Sequence, residues 1–139
     1  MSNFIDLRIS GIGLDFQEIT RNLSMKPNYS YKKGDVVFSK VPGIETIHKE
    51  DLWIAGIEIA AGKTIEQTLA QFLKQLIPAA RYLKKLAIKY EVTVWVSAYP
   101  ETEQINVHLS PQVIHDINEI GASFDCGVMF LKQFYDGQI

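Results

Sequence analysis

Val92-Thr93-Val94-Trp95-Val96-Ser97-Ala98-Tyr99 alternates small apolar residues with polar or aromatic ones over eight positions. A period of two is the pattern of a β-strand with one face in a core and the other outside it. If the valines meet the core, Trp95 and Tyr99 project from the opposite face with Thr93 and Ser97. This strand decides the fold, because its flanks must supply the layer that covers the valines.

Downstream, Pro100-Glu101-Thr102-Glu103 reads as a turn, and Ile105, Val107 and Leu109 alternate again, so a hairpin is expected. Ser110-Pro111 then opens a helix in the favoured order, N-cap before proline. Its core face is Val113, Ile114 and Ile117, and Gly121 suits the left-handed residue that ends it. Phe124, Cys126, Val128 and Phe130 form a last alternating strand.

Upstream, Thr64 and Gln67 make a capping box for the longest helix. Ile65, Leu69, Phe72, Leu73, Leu76 and Ile77 form its apolar stripe. Pro78 lacks an amide donor and should kink or split it before Tyr82, Leu83 and Leu86. A strand over 52–60 precedes it. Nearer the N-terminus, Ile5, Leu7 and Ile9 alternate with Asp6 and Arg8. Gly11-Ile12-Gly13 turns into a short helix capped by Asp15 and Glu18, with Phe16, Ile19 and Leu23 inward. Residues 24–51 are irregular, with Pro27, Gly34, Pro42 and Gly43 and one short apolar run, Val36-Val37-Phe38.

The order β-α-(β)-β-α-β-β-α-β predicts one α+β domain over residues 1–139: a mixed, mostly antiparallel sheet with helices on one face, related to ferredoxin-like architecture. Of 139 residues, 47% are hydrophobic and 22% charged, enough to bury a core without disulfides or metal. The net charge of −2 disfavours non-specific nucleic-acid binding. One cysteine excludes an internal disulfide framework, no stretch approaches a membrane span, and the charged N-terminus does not read as an export signal. A cytoplasmic location is expected.

Asp15-Phe16-Gln17-Glu18-Ile19-Thr20, Leu23, Pro27 and Lys33-Gly34-Asp35 resemble the N-terminal half of a bacterial family of uncharacterised proteins, domain of unknown function 4279. Trp53, the helix over 64–77 with Pro78, Leu109-Ser110-Pro111 and Ile120-Gly121 are similar to it as well. The resemblance implies no activity or catalytic residues. Small cytoplasmic bacterial proteins of this kind often serve as immunity or partner-binding proteins, an association that carries no mechanism.

The chemistry-bearing residues give no catalytic set, metal site or cofactor motif. His48, His108 and His115 lack paired-ligand spacing. Cys126 shares its strand face with Phe124 and Val128 and reads as a buried small hydrophobe. Gly11-Ile12-Gly13 lacks the third glycine of a dinucleotide loop, Phe16 standing there instead. Lys74, Arg81, Lys84, Lys85 and Lys89 read as a solvated helix face. The aromatic residues carry more. Trp95 and Tyr99, joined by Trp53 and by Tyr29, Tyr31, Lys32 and Lys33 of the long loop, form the expected binding surface for another protein. The bland alternative is that the loop folds over that face and buries the rings. The competing function is a small-molecule binder or enzyme with a pocket between residues 24–51 and the sheet, using His108, Asp35 and Lys33. Self-association is compatible with either reading.

Overall fold

The computed structural model describes residues 2–38, 45–100 and 105–129. Their strands are β1 (Phe4–Gly11), β2 (Tyr29–Tyr31), β3 (Val36–Phe38), β4 (Glu45–Ile47), β5 (Asp51–Glu58), β6 (Glu91–Ala98) and β7 (Ser123–Val128). The helices are α1 (Phe16–Leu23), α2 (Ile65–Leu76), α3 (Ala80–Lys89) and α4 (Pro111–Glu119). A 3₁₀ turn over Ile77–Ala79 separates α2 from α3, where Pro78 cannot donate to the helical ladder.

The main sheet has five strands in the order β2-β5-β1-β6-β7, and β3 and β4 form a separate two-stranded antiparallel hairpin. Strand β1 is central and antiparallel to both β5 and β6, while β6 and β7 are parallel. The α+β class, the mostly antiparallel sheet and the one-sided helices are as the sequence predicts, but the pairings do not establish an exact ferredoxin-like order. The expected hairpin after β6 is not formed: residues 105–110 are not in a strand. Strand β6 has two edges, and β1 takes one while β7 takes the other after the α4 crossover. No edge is left for Ile105, Val107 and Leu109. Turn residues Glu101, Thr102 and Glu103, and Phe130, lie outside the described residues.

The alternation of β1, β5 and β6 puts Ile5, Leu7 and Ile9, Trp53 and Ala55, and Val92, Val94 and Val96 on one face of the sheet. Leu69, Phe72, Leu73 and Leu76 of α2, Leu83 of α3, and Val113 and Ile117 of α4 close over them, and Ile19 and Leu23 of α1 complete the layer. Each large side chain buried there contributes roughly 1.5–3 kcal/mol.

The caps follow the sequence. Thr64 and Gln67 form the reciprocal capping box, Ser110 accepts from the Val113 amide behind Pro111, and Gly121 takes a positive φ of 71° after α4. Asp15 caps α1 through the Glu18 amide, but the Glu18 side chain accepts from the Tyr82 hydroxyl at 3.4 Å instead of closing the box. Burial, and then the negative charge of Glu18, push the Tyr82 phenol up to about 12.

Residues 24–51 are more regular than their composition predicts. Tyr29–Tyr31 adds an edge strand to β5, and the turn before β3 is held by Asp35, whose carboxylate accepts from the Lys32 amide at 2.8 Å. Asp51, at the start of β5, accepts from the amides of Gly13 and Leu14 through Oδ2 and of Lys33 through Oδ1, at 2.9, 3.0 and 2.7 Å. One carboxylate thereby ties the β1–α1 turn and the β2–β3 turn to the sheet. Those bonds, that from Lys33 foremost, hold its pKa below the usual carboxylate value against the opposing effect of burial.

Candidate functional site

The register of the five strands fixes which side chains share the face turned away from the helices. Asp6 pairs with Gly56 and Trp95, Arg8 with Ile54 and Thr93, and Phe4 with Glu58 and Ser97. Tyr29 and Tyr31 lie opposite Ile54 and Leu52, and Asp125 and Gly127 lie opposite Trp95 and Ser97. Opposed residues share a face, so all of these belong to one surface. Among the described residues no helix packs on it.

Of the seven residues expected at a binding surface, the structure brings four to this face: Tyr29, Tyr31, Trp95 and Tyr99. Tyr29 is exposed, and the other three are half-buried. Tyr29 stacks on Tyr31 with centroids 6.3 Å apart, and Tyr31 on His48 of the hairpin at 4.4 Å. Among the described residues of the loop this row lies on the edge strand β2, and Trp95 stays half-buried. Trp95 lies between neighbours: the Arg8 guanidinium stands 4.4 Å above its ring, Gly127 leaves room beside it, and its Nε1–H donates to Ser97 Oγ at 3.0 Å.

Trp53 is a correction. It sits at an odd step of β5 opposite Ile9, points into the helical layer and is fully buried, with Nε1–H donating to Thr20 Oγ1 at 3.2 Å. Buried there, it cannot touch a partner. Lys32 also leaves the face: its ammonium lies 5.9 Å from the Phe16 ring of α1, on the helical side. Lys33 is exposed, and its backbone serves the Asp51 clamp.

Two concavities lie along the open face. The larger, about 430 Å³, is lined by Phe4, Asp6, Asn28, Tyr29, Gly56, Glu58, Ser97 and Tyr99. The smaller, about 250 Å³, lies beside Trp95 and shares Ser97 and Tyr99 with it. Asp6 forms part of the larger floor. A side chain at Gly56 would collide with its Oδ1 and with the Ile5 carbonyl, so glycine makes the recess in which the carboxylate sits. Burial raises the Asp6 pKa, and Arg8, 3.4 Å from Oδ2, opposes that rise. The Gly56 amide donates to Asn28 Oδ1 at 2.8 Å, which fixes the loop beside the recess.

Sequence reasoning missed Phe4, Asp6, Arg8, Asn28 and Glu58. The alternation of β1 marks Asp6 and Arg8 as outward residues, but only the strand order sets them between β5 and β6. The residues of the competing pocket are not assembled: His108 stands 3.8 Å from Glu66 of α2, and Asp35 holds its own turn. Among the described residues no cluster of three His, Cys, Asp or Glu side chains has metal-binding geometry. Cys126, on the edge strand β7, is exposed rather than buried, and residual desolvation raises its pKa. No described helix is long and apolar enough to cross a membrane.

No curated protein and no solved structure matches this chain. The family profile described as domain of unknown function, DUF4279, matches residues 2–130, nearly the whole sequence. The chain belongs to the DUF4279 family.

Proposed function

We propose that this chain is a non-enzymatic protein-binding module, a partner protein of immunity or regulatory type, that docks through the open face of its sheet. The observation that carries this reading is the placement of Tyr29, Tyr31, Trp95 and Tyr99 on the one sheet face without helices among the described residues. A solvated antiparallel sheet ordinarily alternates apolar inside with polar outside. Here the outer positions hold aromatic rings rimmed by Asp6, Arg8, Ser97, Glu58 and Asp125, which is the composition of a docking centre with a polar border. The free thiol of Cys126 suits a reducing, cytoplasmic setting. A second reading, a small-molecule site, draws on the recess of about 430 Å³, within the size range of ligand pockets.

Affinity capture followed by calorimetry on the purified pair tests the proposal. Trp95→Ala with Tyr99→Ala should weaken partner binding by at least about 2 kcal/mol, roughly 30-fold, as hot-spot aromatics do. Unchanged affinity in a variant that remains folded by circular dichroism would refute the site.

A further inference from the structure

We infer that the larger recess on the open face receives a basic side chain, lysine or arginine, from the partner protein. This rests on the docking reading above and adds the chemistry of its contact. Three aromatic residues, Phe4, Tyr29 and Tyr99, line the recess together with two carboxylates, Asp6 and Glu58. Aromatic faces attract cations within about 6 Å, and carboxylates supply the counter-charge. Asn28 and Ser97 add polar side chains to the same lining.

Charge complementarity selects the occupant. The outward residues of β1, β5 and β6 together with β7 include Asp6, Glu58 and Asp125 against Arg8 as the basic residue. Arg8 is turned to the other side, with its guanidinium over Trp95 and one nitrogen on Asp6 Oδ2. Asp6 Oδ1 overlies Gly56, at the floor of the recess. Among the described residues the site therefore keeps one Asp6 oxygen and the Glu58 side chain for an incoming cation. An anionic side chain would meet both acids, and a neutral one would leave Asp6 without added compensation.

The test uses the full chain labelled with ¹⁵N and three synthetic peptides identical except for a central lysine, acetyl-lysine or glutamate. The lysine peptide should shift the amides of Asn28, Gly56, Glu58 and Ser97 saturably, with a dissociation constant of about 1 mM, typical of a single contact. The acetyl-lysine and glutamate peptides should bind at least about tenfold more weakly. Glu58→Gln should weaken the lysine peptide several-fold, and Glu119→Gln, on α4 in the helical layer, should leave it unchanged. Equal binding of the lysine and acetyl-lysine peptides, or no shifts at these amides, overturns the inference. Failure here with partner binding still abolished by the Trp95/Tyr99 double alanine would remove the cation contact and keep the docking face. Unchanged partner affinity in that double variant would remove both.

Discussion

Two aspartates, Asp51 and Asp6, have opposite effects on stability. Asp51 accepts three backbone amides, so its folded pKa is depressed. Its contribution is fully present above the ordinary carboxylate value of 3.8 and is lost as pH falls through the depressed folded value. Asp6 is raised by burial, so it contributes stability when protonated, below 3.8, and loses that contribution as pH rises through the raised folded value. Above its raised folded value, where Asp6 is ionised, that contribution is absent. Asp51→Asn should lower unfolding free energy at neutral pH by about 2–4 kcal/mol, since it removes charge-assisted bonds to three amides. Urea unfolding at about pH 7 and about pH 2.5 should show the gap between wild type and variant narrowing in acid. A gap of equal size at both pH values would mean that the clamp does not depend on the charge.

At the scale of elements, two glycines on the open face differ in what stands against them. At Gly56 a β-carbon would lie 2.7 Å from the Asp6 α-carbon and closer still to the Ile5 carbonyl, so the neighbouring strand would have to move. At Gly127 it would meet the Trp95 ring at 3.2 Å, and a side chain can shift. Gly56→Ala should cost about 2–4 kcal/mol and Gly127→Ala less than about 1 kcal/mol, measured by thermal unfolding. Similar costs would show that the β1–β5 approach is not tight. The same elements mark how far the sequence could be read. Period-two alternation identifies β1, β6 and β7, and capping residues locate α1, α2 and α4, because those signals are local. Strand order is not local: whether 105–109 or 123–128 pairs with β6 depends on which segment the α4 crossover returns to its edge. For the same reason the sequence does not show which face of the sheet Trp53 takes. Aromatic residues occur on both sides of a sheet, and only the pairing of Trp53 with Ile9 settles its side.

For the molecule as a whole, the described helices lie on one face of the sheet and the aromatic residues Tyr29, Tyr31, Trp95 and Tyr99 on the other. The two tryptophans report on the two sides separately. Trp53 is fully enclosed, whereas Trp95 is half-buried beneath the Arg8 guanidinium. In Trp95→Phe, the remaining emission should come from Trp53, be shifted to shorter wavelength and resist quenching by iodide. Wild type should quench several-fold more steeply, with the difference arising from Trp95. Binding of the partner should then protect the wild-type signal and leave the Trp95→Phe signal unchanged, because the docked surface covers one tryptophan and the helical layer already covers the other. If iodide quenched wild type and Trp95→Phe alike before any partner was added, the open face would be covered in solution by the chain itself or by a second copy. The docking reading would then have to include the displacement of that cover.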